Sequence, residues 1–475
     1  MVQQRAQEQI ILQAIPAAEE ELRLLGHPGR IGLLRNARDI EGNIYGPQEN
    51  YEVIAGSPWM LRIYRLGLGL LCVPLVLVTL ALWVAIIGVM LIALALMIVF
   101  MIIDGLLGLL TSTSAPMRAA IADRGLNWWF LFGWLEIILQ NSLVWPVIIP
   151  YSWMVRVLLF RQQRRGMMSF LVSRPVITGT GTLLDDGSFA LSEKAPGIGR
   201  VHRWSLAMAG HSIFDSGNLL KGILSPALAD LRSFTALFNG RLRMQLGLSD
   251  GNRLDVAEYL KVGMTVLVID MAEAGALEDA PLVKSPVSAL HRISADPSLT
   301  TQVDLKGGGT CTALELQRWY LERAELFVKN LKTTSIEALD IIALWRETLD
   351  ALADCPESLV GQIDWVTKRY LLEAAADDLS LAARKKVDLK YHELGVGYAD
   401  RLREQGFARP LVADEEVTFA MYQAPENSPA FARGRLIREW SEDESVSWVS
   451  WSSARLRQEG KSRIVRLDDF RSGGS

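Results

Sequence analysis

Between Leu66 and Met117 the sequence runs for 52 residues with Asp104 as its only charge. Leu66 to Ile103 alone is 38 residues without any charge, whereas a helix needs only about 20 apolar residues to cross a bilayer. A half-buried helix of a soluble domain does not read this way, because it needs a polar face as well as an apolar one. The run predicts two closely turned membrane helices, at about residues 66–85 and 88–109, with Pro74 and several glycines tolerated inside them. A second stretch, Asn127 to Phe160, is apolar and aromatic but carries Glu136, Gln140, Asn141 and Arg156. It holds Trp128, Trp129, Trp134, Trp145 and Trp153, and tryptophan gathers at membrane interfaces. It reads either as a third and fourth span broken near Asn141 or as an amphipathic segment lying in the headgroup plane. Arg62 and Arg65 precede the whole insert, and Arg161, Arg164 and Arg165 come after it. Basic flanks stay in the cytoplasm, so the number of spans is expected to be even, in the cytoplasmic membrane with the soluble body on the cytoplasmic side.

The rest of the chain is ordinary. Of its 102 Asp, Glu, Lys and Arg residues, 101 lie in the 423 residues outside the apolar block, close to the soluble average of about 25%. Overall, 49 basic residues face 53 acidic ones for a net charge of −4, which leaves no positive field to gather nucleic acid. Half of the residues are apolar, which excludes a disordered chain. Cys72, Cys311 and Cys355 are odd in number and far apart, so neither a disulfide framework nor a zinc knuckle is expected. The first 25 residues are amphipathic and acid-rich, without the basic start and apolar core of a secretory signal.

Apolar spacing of three and four predicts helices over Ala6–Leu25, Val256–Ala274, Thr312–Lys329, Ile336–Ala353, Ser358–Ala375 and Val396–Gln405. Short alternating runs predict strands at Phe170–Thr178, Phe189–Ser192 and Leu242–Leu248. Gly307-Gly308-Gly309-Thr310 precedes a helix but lacks the Lys-Ser/Thr of a phosphate loop, and Thr312 with Glu315 reads as a capping box.

Several stretches fall in an order and spacing that resemble one family. They are Gly42-Asn43-Ile44-Tyr45-Gly46-Pro47-Gln48-Glu49-Asn50-Tyr51, Phe170-Leu171-Val172-Ser173-Arg174 with Ile177-Thr178-Gly179-Thr180-Gly181, and Ser249-Asp250-Gly251-Asn252. Further along come Tyr259-Leu260-Lys261-Val262-Gly263-Met264-Thr265, Gln362-Ile363-Asp364-Trp365-Val366-Thr367-Lys368-Arg369, and Val387-Asp388-Leu389-Lys390-Tyr391-His392. The stretch Ala424-Pro425 leading to Arg433-Gly434-Arg435-Leu436, and Ser447-Trp448-Val449, complete the set. Together they resemble the Pup ligases and Pup deamidases (depupylases), relatives of glutamine synthetase and other carboxylate-amine ligases. The Tyr259–Gly263 run is somewhat closer to the depupylase branch.

The resemblance implies an α+β fold, an antiparallel β-sheet cradle with packed helices, here interrupted by the helical transmembrane insertion. Residues 1–57 and 168–407 would form the ligase-like domain, 58–167 the membrane insertion, and 408–475 a small C-terminal domain. It also implies ATP and magnesium as cofactors and Pup, or a Pup-like protein tail, as partner. Asn43, Tyr45, Glu49, Asn50 and Trp448 match positions that would line a nucleotide pocket, with Glu49 as a weak metal ligand.

The departures matter as much. The family opens with a Gly-Ile-Glu-Thr-Glu strand that holds magnesium and then a loop bearing the catalytic aspartate. This sequence starts at a helix resembling the one that family members place after that loop, so the strand and loop are expected to be missing here or encoded elsewhere. The exposed sheet edge would then be covered by the N-terminal helix or by a partner strand, from another chain or a second copy. Gln48 stands where the family has a histidine, and Asn218 to Asp230 replaces a region rich in arginine, aspartate and histidine.

The expected function is a membrane-anchored, catalytically degenerate relative that serves as a binding or regulatory module. An active ATP- and magnesium-dependent ligase or depupylase whose N-terminal catalytic segment is missing from this chain is the alternative. A small transporter subunit is a third reading, resting on the apolar block alone, in which Asp104 is the one candidate acid for a polar pathway. Each site residue also has a structural reading: Glu49 as a salt-bridged strand residue, Asn43 and Asn50 as turn residues, and Trp448 as a core aromatic.

Overall fold

The structure, a computed structural model, describes residues 1–466 except 28, 40, 111–144, 204–209, 229, 375–379, 427, 443–445, 451–452 and 459–460. Its central sheet has four strands, β1 (Glu49–Ile54), β4 (Ile198–His202), β5 (His211–Asp215) and β6 (Arg241–Leu246), in the order β1-β6-β5-β4. Two short strands, β2 (Thr182–Leu183) and β3 (Phe189–Ala190), form a separate hairpin. The expected cradle is corrected in one respect: β4 runs parallel to β5, so the sheet is mixed rather than wholly antiparallel.

One face of this sheet is packed by helices. Asp255–Glu273 lies at the centre, and Ala257, Leu260, Met264, Val268 and Met271 are all buried. Arg161–Ser173, Ala313–Lys329 and Ile336–Asp354 pack on it. Gly263 permits the last of these contacts, since a Cβ there would stand 2.6 Å from Ile341 Cδ1. Ala313–Lys329 begins in the predicted capping box, with Glu315 N–H donating to Thr312 Oγ1 at 3.2 Å and Thr312 N–H donating to Glu315 Oε2 at 2.6 Å. Thr312→Ala is expected to cost about 1 kcal/mol, the usual loss for an N-cap, read as a lower thermal midpoint; an unchanged midpoint would show that packing alone holds this helix.

Phe170–Thr178 is not a strand. Phe170 to Ser173 end the helix Arg161–Ser173, and Pro175–Thr178 form one further turn. All nine residues are buried, so the run has no exposed face and its periodicity cannot separate strand from helix. Pro175, which has no N–H to donate, starts the new turn.

The apolar block is one helix, Pro58–Leu110, of 53 residues. This corrects the expected pair of spans at 66–85 and 88–109: nothing between Ala85 and Gly88 breaks a helix, since a lone glycine is tolerated. At 1.5 Å per residue the helix is about 80 Å long. Its portion Pro58–Ile92 is long and apolar enough to cross a membrane, with 12% of its most apolar window buried. Leu66, Leu70, Val73, Leu77 and Val84 are exposed. A helix over 145–158 packs at its foot, where the Tyr64 and Tyr151 hydroxyls are 3.2 Å apart. The chain leaves the body and rejoins it at one point, since Phe160 N–H donates to Ala55 O at 2.7 Å. The first part of the expected aromatic region, 127–144, lies outside the described residues, as does the side chain of Asp104.

The N-terminal helix Val2–Leu24 does not chiefly cover the free edge of β1. It packs along Asp414–Tyr422, with Ala6 against Val417 and Ala420. Its Arg5 and Glu8 pair with Asp255 and Arg253, and Arg253 pairs with Asp400 at 2.7 Å. The C-terminal strands Val446–Val449, Ser453–Gln458 and Lys461–Arg466 form their own antiparallel sheet.

Candidate functional site

The register of β1 against β6 sorts the expected site residues. Glu49, Tyr51 and Val53 stand opposite Leu246, Met244 and Leu242, while Asn50, Glu52 and Ile54 stand opposite Gln245, Arg243 and Arg241. Paired residues share a face and successive ones alternate. The first set is the face packed by helices, and the second is open: Asn50, Glu52, Arg241 and Arg243 are exposed. Glu49 and Asn50 are neighbours in the chain and point to opposite sides of the sheet.

Glu49 is buried in an ion pair. Arg174 Nη2 lies 2.7 Å from Glu49 Oε1 and Nη1 lies 3.0 Å from Oε2, and Tyr51 OH donates to Oε2 at 2.5 Å. Burial would raise this carboxyl, but the Arg174 charge outweighs it and holds it below the ordinary range. Both oxygens are engaged by Arg174 and Tyr51, so Glu49 is committed to the guanidinium rather than to a metal ion.

The other expected residues form loops around the open face. Asn43 donates from N–H and Nδ2 to Asp39 at 2.8 and 2.9 Å, closing a turn. Tyr45 is 45% exposed, its hydroxyl accepting from Asn36 Nδ2 at 3.2 Å. Asn50 Oδ1 accepts from Arg243 Nε at 2.7 Å, and Gln48 Oε1 accepts from Gln245 Nε2. Trp448 is 52% exposed, on the C-terminal sheet opposite Arg455. Asn50 Nδ2 also donates to Gln48 O at 3.2 Å, while Asn43 and Tyr45 bond within their own loop and Trp448 lies on the separate C-terminal sheet.

Magnesium takes hard oxygen ligands, typically one or two carboxylates with the phosphates. The open face offers Glu52, and Asp215 opposite Gln245, among amides and guanidiniums, and among the described residues no group of three or more His, Cys, Asp or Glu could hold a metal. Arg241 and Arg243 suit an anion, and the sequence reading missed them although Arg241-Leu242-Arg243-Met244 alternates strictly.

Most motif residues hold the fold. Asp250 accepts N–H bonds from Thr180, Glu193 and Lys194, each at 3.1 Å, and a 3.0 Å bond from Ser192 Oγ. Asn252 Nδ2 donates to Asp364 Oδ2 at 2.9 Å, and Tyr391 OH to Asp364 Oδ1 at 2.9 Å.

A family model described as Pup-ligase protein matches residues 1–455. The chain belongs to this Pup-ligase family. A depupylase of Acidothermus cellulolyticus is 34% identical over 233 residues, 47% of this chain and 46% of that protein. A Pup–protein ligase of Nakamurella multipartita is 29% identical over 65% of this chain and 67% of its own length. A Pup deamidase/depupylase of Mycobacterium tuberculosis is 32% identical over 64% and 60%. The chain thus spans about half to two thirds of these relatives. Among solved structures, the Pup ligase PafA in complex with Pup aligns with TM-score 0.62 at 20% identity, covering 98% of this chain and 74% of PafA. PafA in complex with ADP aligns with the same score and identity, covering 79% of that chain. These structural likenesses establish the α+β fold, and the family is one with ligase and depupylase members.

Proposed function

We propose that this chain is a membrane-anchored member of the Pup-ligase family that has lost or weakened metal-dependent catalysis and keeps the scaffold to bind Pup or a Pup-like tail. The observation that carries the catalytic part is Glu49. The one acid of the Gln48–Asn50 motif is turned to the packed face and saturated by Arg174 and Tyr51, while the open face carries amides and guanidiniums. A nucleotide held there would meet Arg241 and Arg243, with Glu52 opposite Arg243 and Asp215 opposite Gln245 as the strand carboxylates on that face and no motif glutamate among them.

The exposed apolar length of Pro58–Ile92 supports anchoring, because a large exposed apolar surface needs a covering medium. Arg62 and Arg65 precede the apolar run and Arg161 and Arg165 follow the insert in the sequence, which favours a cytoplasmic body beneath the cytoplasmic membrane.

Two measurements on the full chain test the two halves separately. Alkaline carbonate extraction of expressing cells is expected to leave the protein in the membrane pellet; recovery in the supernatant would remove the anchor. In detergent, the chain is expected to bind fluorescent Pup with the same affinity with and without ATP and magnesium, and to show no turnover. ATP- and magnesium-dependent depupylation or ligation would overturn the loss of catalysis.

A further inference from the structure

Strand β1 is an edge of the central sheet, bonded to β6 on one side and, among the described residues, to no strand on the other. Bonds at its end show which backbone groups face outward. Ala55 N–H donates to Gly240 O at 2.9 Å, toward β6. Ile54 N–H donates to Glu273 Oε1 at 2.6 Å and Ile54 O accepts from Gln163 Nε2 at 2.8 Å, both away from β6. Backbone groups alternate sides along an antiparallel pair, so those of Asn50 and Glu52 point outward with those of Ile54. Side chains close the Ile54 end, and Glu52 O accepts from Arg241 Nη2 at 3.3 Å. The N–H groups of Asn50 and Glu52 and the Asn50 carbonyl have no partner among the described residues. Both residues are exposed.

The ground beside this edge is apolar. Val262, Val266 and Glu273 follow one another at intervals of four and seven residues, so they share one side of the central helix Asp255–Glu273. Glu273 reaches the outward N–H of Ile54, which places that side along the free edge of β1. Ile269, on the same side, is buried, but Val262 is 44% and Val266 40% exposed. Most of this helix is buried, so two neighbouring exposed valines mark a strip that the body leaves uncovered. The N-terminal helix packs along Asp414–Tyr422, and Asn50, Glu52, Val262 and Val266 stay exposed in its presence.

We propose that the free edge of β1 accepts an extended strand from a partner polypeptide, which pairs with Asn50 and Glu52 and lies over Val262 and Val266. Outward N–H and C=O groups on alternate residues fit another main chain, which supplies a donor and an acceptor at the same spacing. Side chains alternate between faces, so the partner residue opposite Tyr51 points onto the valines and is apolar. Its two neighbours stand over the open face beside Asn50 and Glu52. Glu52 is exposed and stands opposite Arg243 on its β6 side. On its free side a lysine or arginine suits it, since opposite charges across strands attract and like charges repel. The partner strand therefore reads polar, apolar, basic, and Glu273 and Gln163 stop the pairing at Ile54. This contact needs neither membrane nor nucleotide, so it stands or falls apart from the function proposed above.

The test uses the full chain in neutral detergent and the peptide acetyl-Thr-Val-Lys-Val-Thr-amide, read by fluorescence anisotropy of a labelled copy and by hydrogen exchange over residues 49–54. The peptide is expected to bind with a Kd of about 1 mM or tighter and to slow exchange of the Asn50 and Glu52 amides about fivefold or more. The same peptide N-methylated at its lysine and threonine amides keeps every side chain and is expected to bind about tenfold more weakly or not at all. Glu52→Pro removes only an outward N–H, a change that edge strands tolerate, and Val266→Asp alters an exposed position. Each is expected to weaken binding about tenfold, and Arg318→Gln, in the exposed pair with Asp350, to leave it unchanged. Val266→Asp carries the test even where Glu52→Pro unfolds. No binding up to about 10 mM, equal binding of the N-methylated peptide, or Val266→Asp binding as tightly as the parent would each overturn the strand site. Protection of the same amides that rises with protein concentration in the absence of peptide would assign the edge to a second copy and overturn the partner strand.

Discussion

Arg174→Met is expected to destabilise the protein by about 3–5 kcal/mol, because it strands the buried Glu49 carboxylate without its cation. The guanidinium is saturated: besides both Glu49 oxygens it donates to Thr265 Oγ1 at 2.7 Å and Leu248 O at 2.6 Å. It ties the helix Arg161–Ser173 to β1, to the end of β6 and to the central helix Asp255–Glu273. The double variant Arg174→Met, Glu49→Gln is expected to recover part of the loss, since most of the single-variant cost is the unpaired charge rather than the lost attraction. The pair also has a pH signature. The folded-state carboxyl of Glu49 lies below its ordinary value, so its contribution is present above the unfolded value near 4.5 and is lost as pH falls through the folded one. Thermal unfolding of the full chain should show a drop of about 3–5 °C for Arg174→Met at pH 7. If the double variant were no more stable than Arg174→Met, or if Arg174→Met unfolded like the parent, the pair would not be what fixes Glu49 on the packed face.

That pair marks the limit of what the sequence made legible. Helices with a two-sided pattern were readable: Val256–Ala274 and Thr312–Lys329 match Asp255–Glu273 and Ala313–Lys329 within about a residue, and the capping box is formed as expected. The run Leu242–Leu248 was readable as a strand because arginine and apolar residues alternate there. Where a segment is apolar all round, periodicity carries no information: Phe170–Thr178 turned out helical, and the helix Pro58–Leu110 has no turn where two spans were expected. The expected site residues separate for a different reason. Glu49 and Asn50 looked like one motif, but facing is set by register against β6, which lies almost 200 residues away in the chain. Motif order identified the family, and register decided which motif residues are open to a ligand.

The same reasoning places the second large effect at Lys368, which is fully buried. Its Nζ donates to Gly181 O at 2.6 Å, ion-pairs with Asp388 at 2.7 Å and lies 2.7 Å from His392 Nε2. Glu193 is 3.1 Å from His392 Nε2 and accepts the Ala37 N–H at 2.7 Å. Burial alone would raise Glu193, but His392, Lys368 and the Ala37 amide prevail and hold it at about 2. Against an ordinary value near 4.5, this depression is worth about 3 kcal/mol at neutral pH, fully present above the unfolded value and lost as pH falls toward 2. Lys368→Met is expected to cost about 3–5 kcal/mol by leaving two buried carboxylates without their cation. Glu193→Gln should lower the thermal midpoint at pH 7 and flatten its fall between pH 6 and 3; a slope equal to the parent's would mean that other carboxylates govern acid unfolding. The cluster also reaches the open face, because Ala37 O accepts the Tyr45 N–H at 2.9 Å. Loosening it should raise hydrogen exchange through residues 37–48 before the rest of the sheet. The loop bearing Asn43 and Tyr45 would then owe its shape to buried charge beneath it, and an exchange pattern spread evenly over the sheet would separate the two.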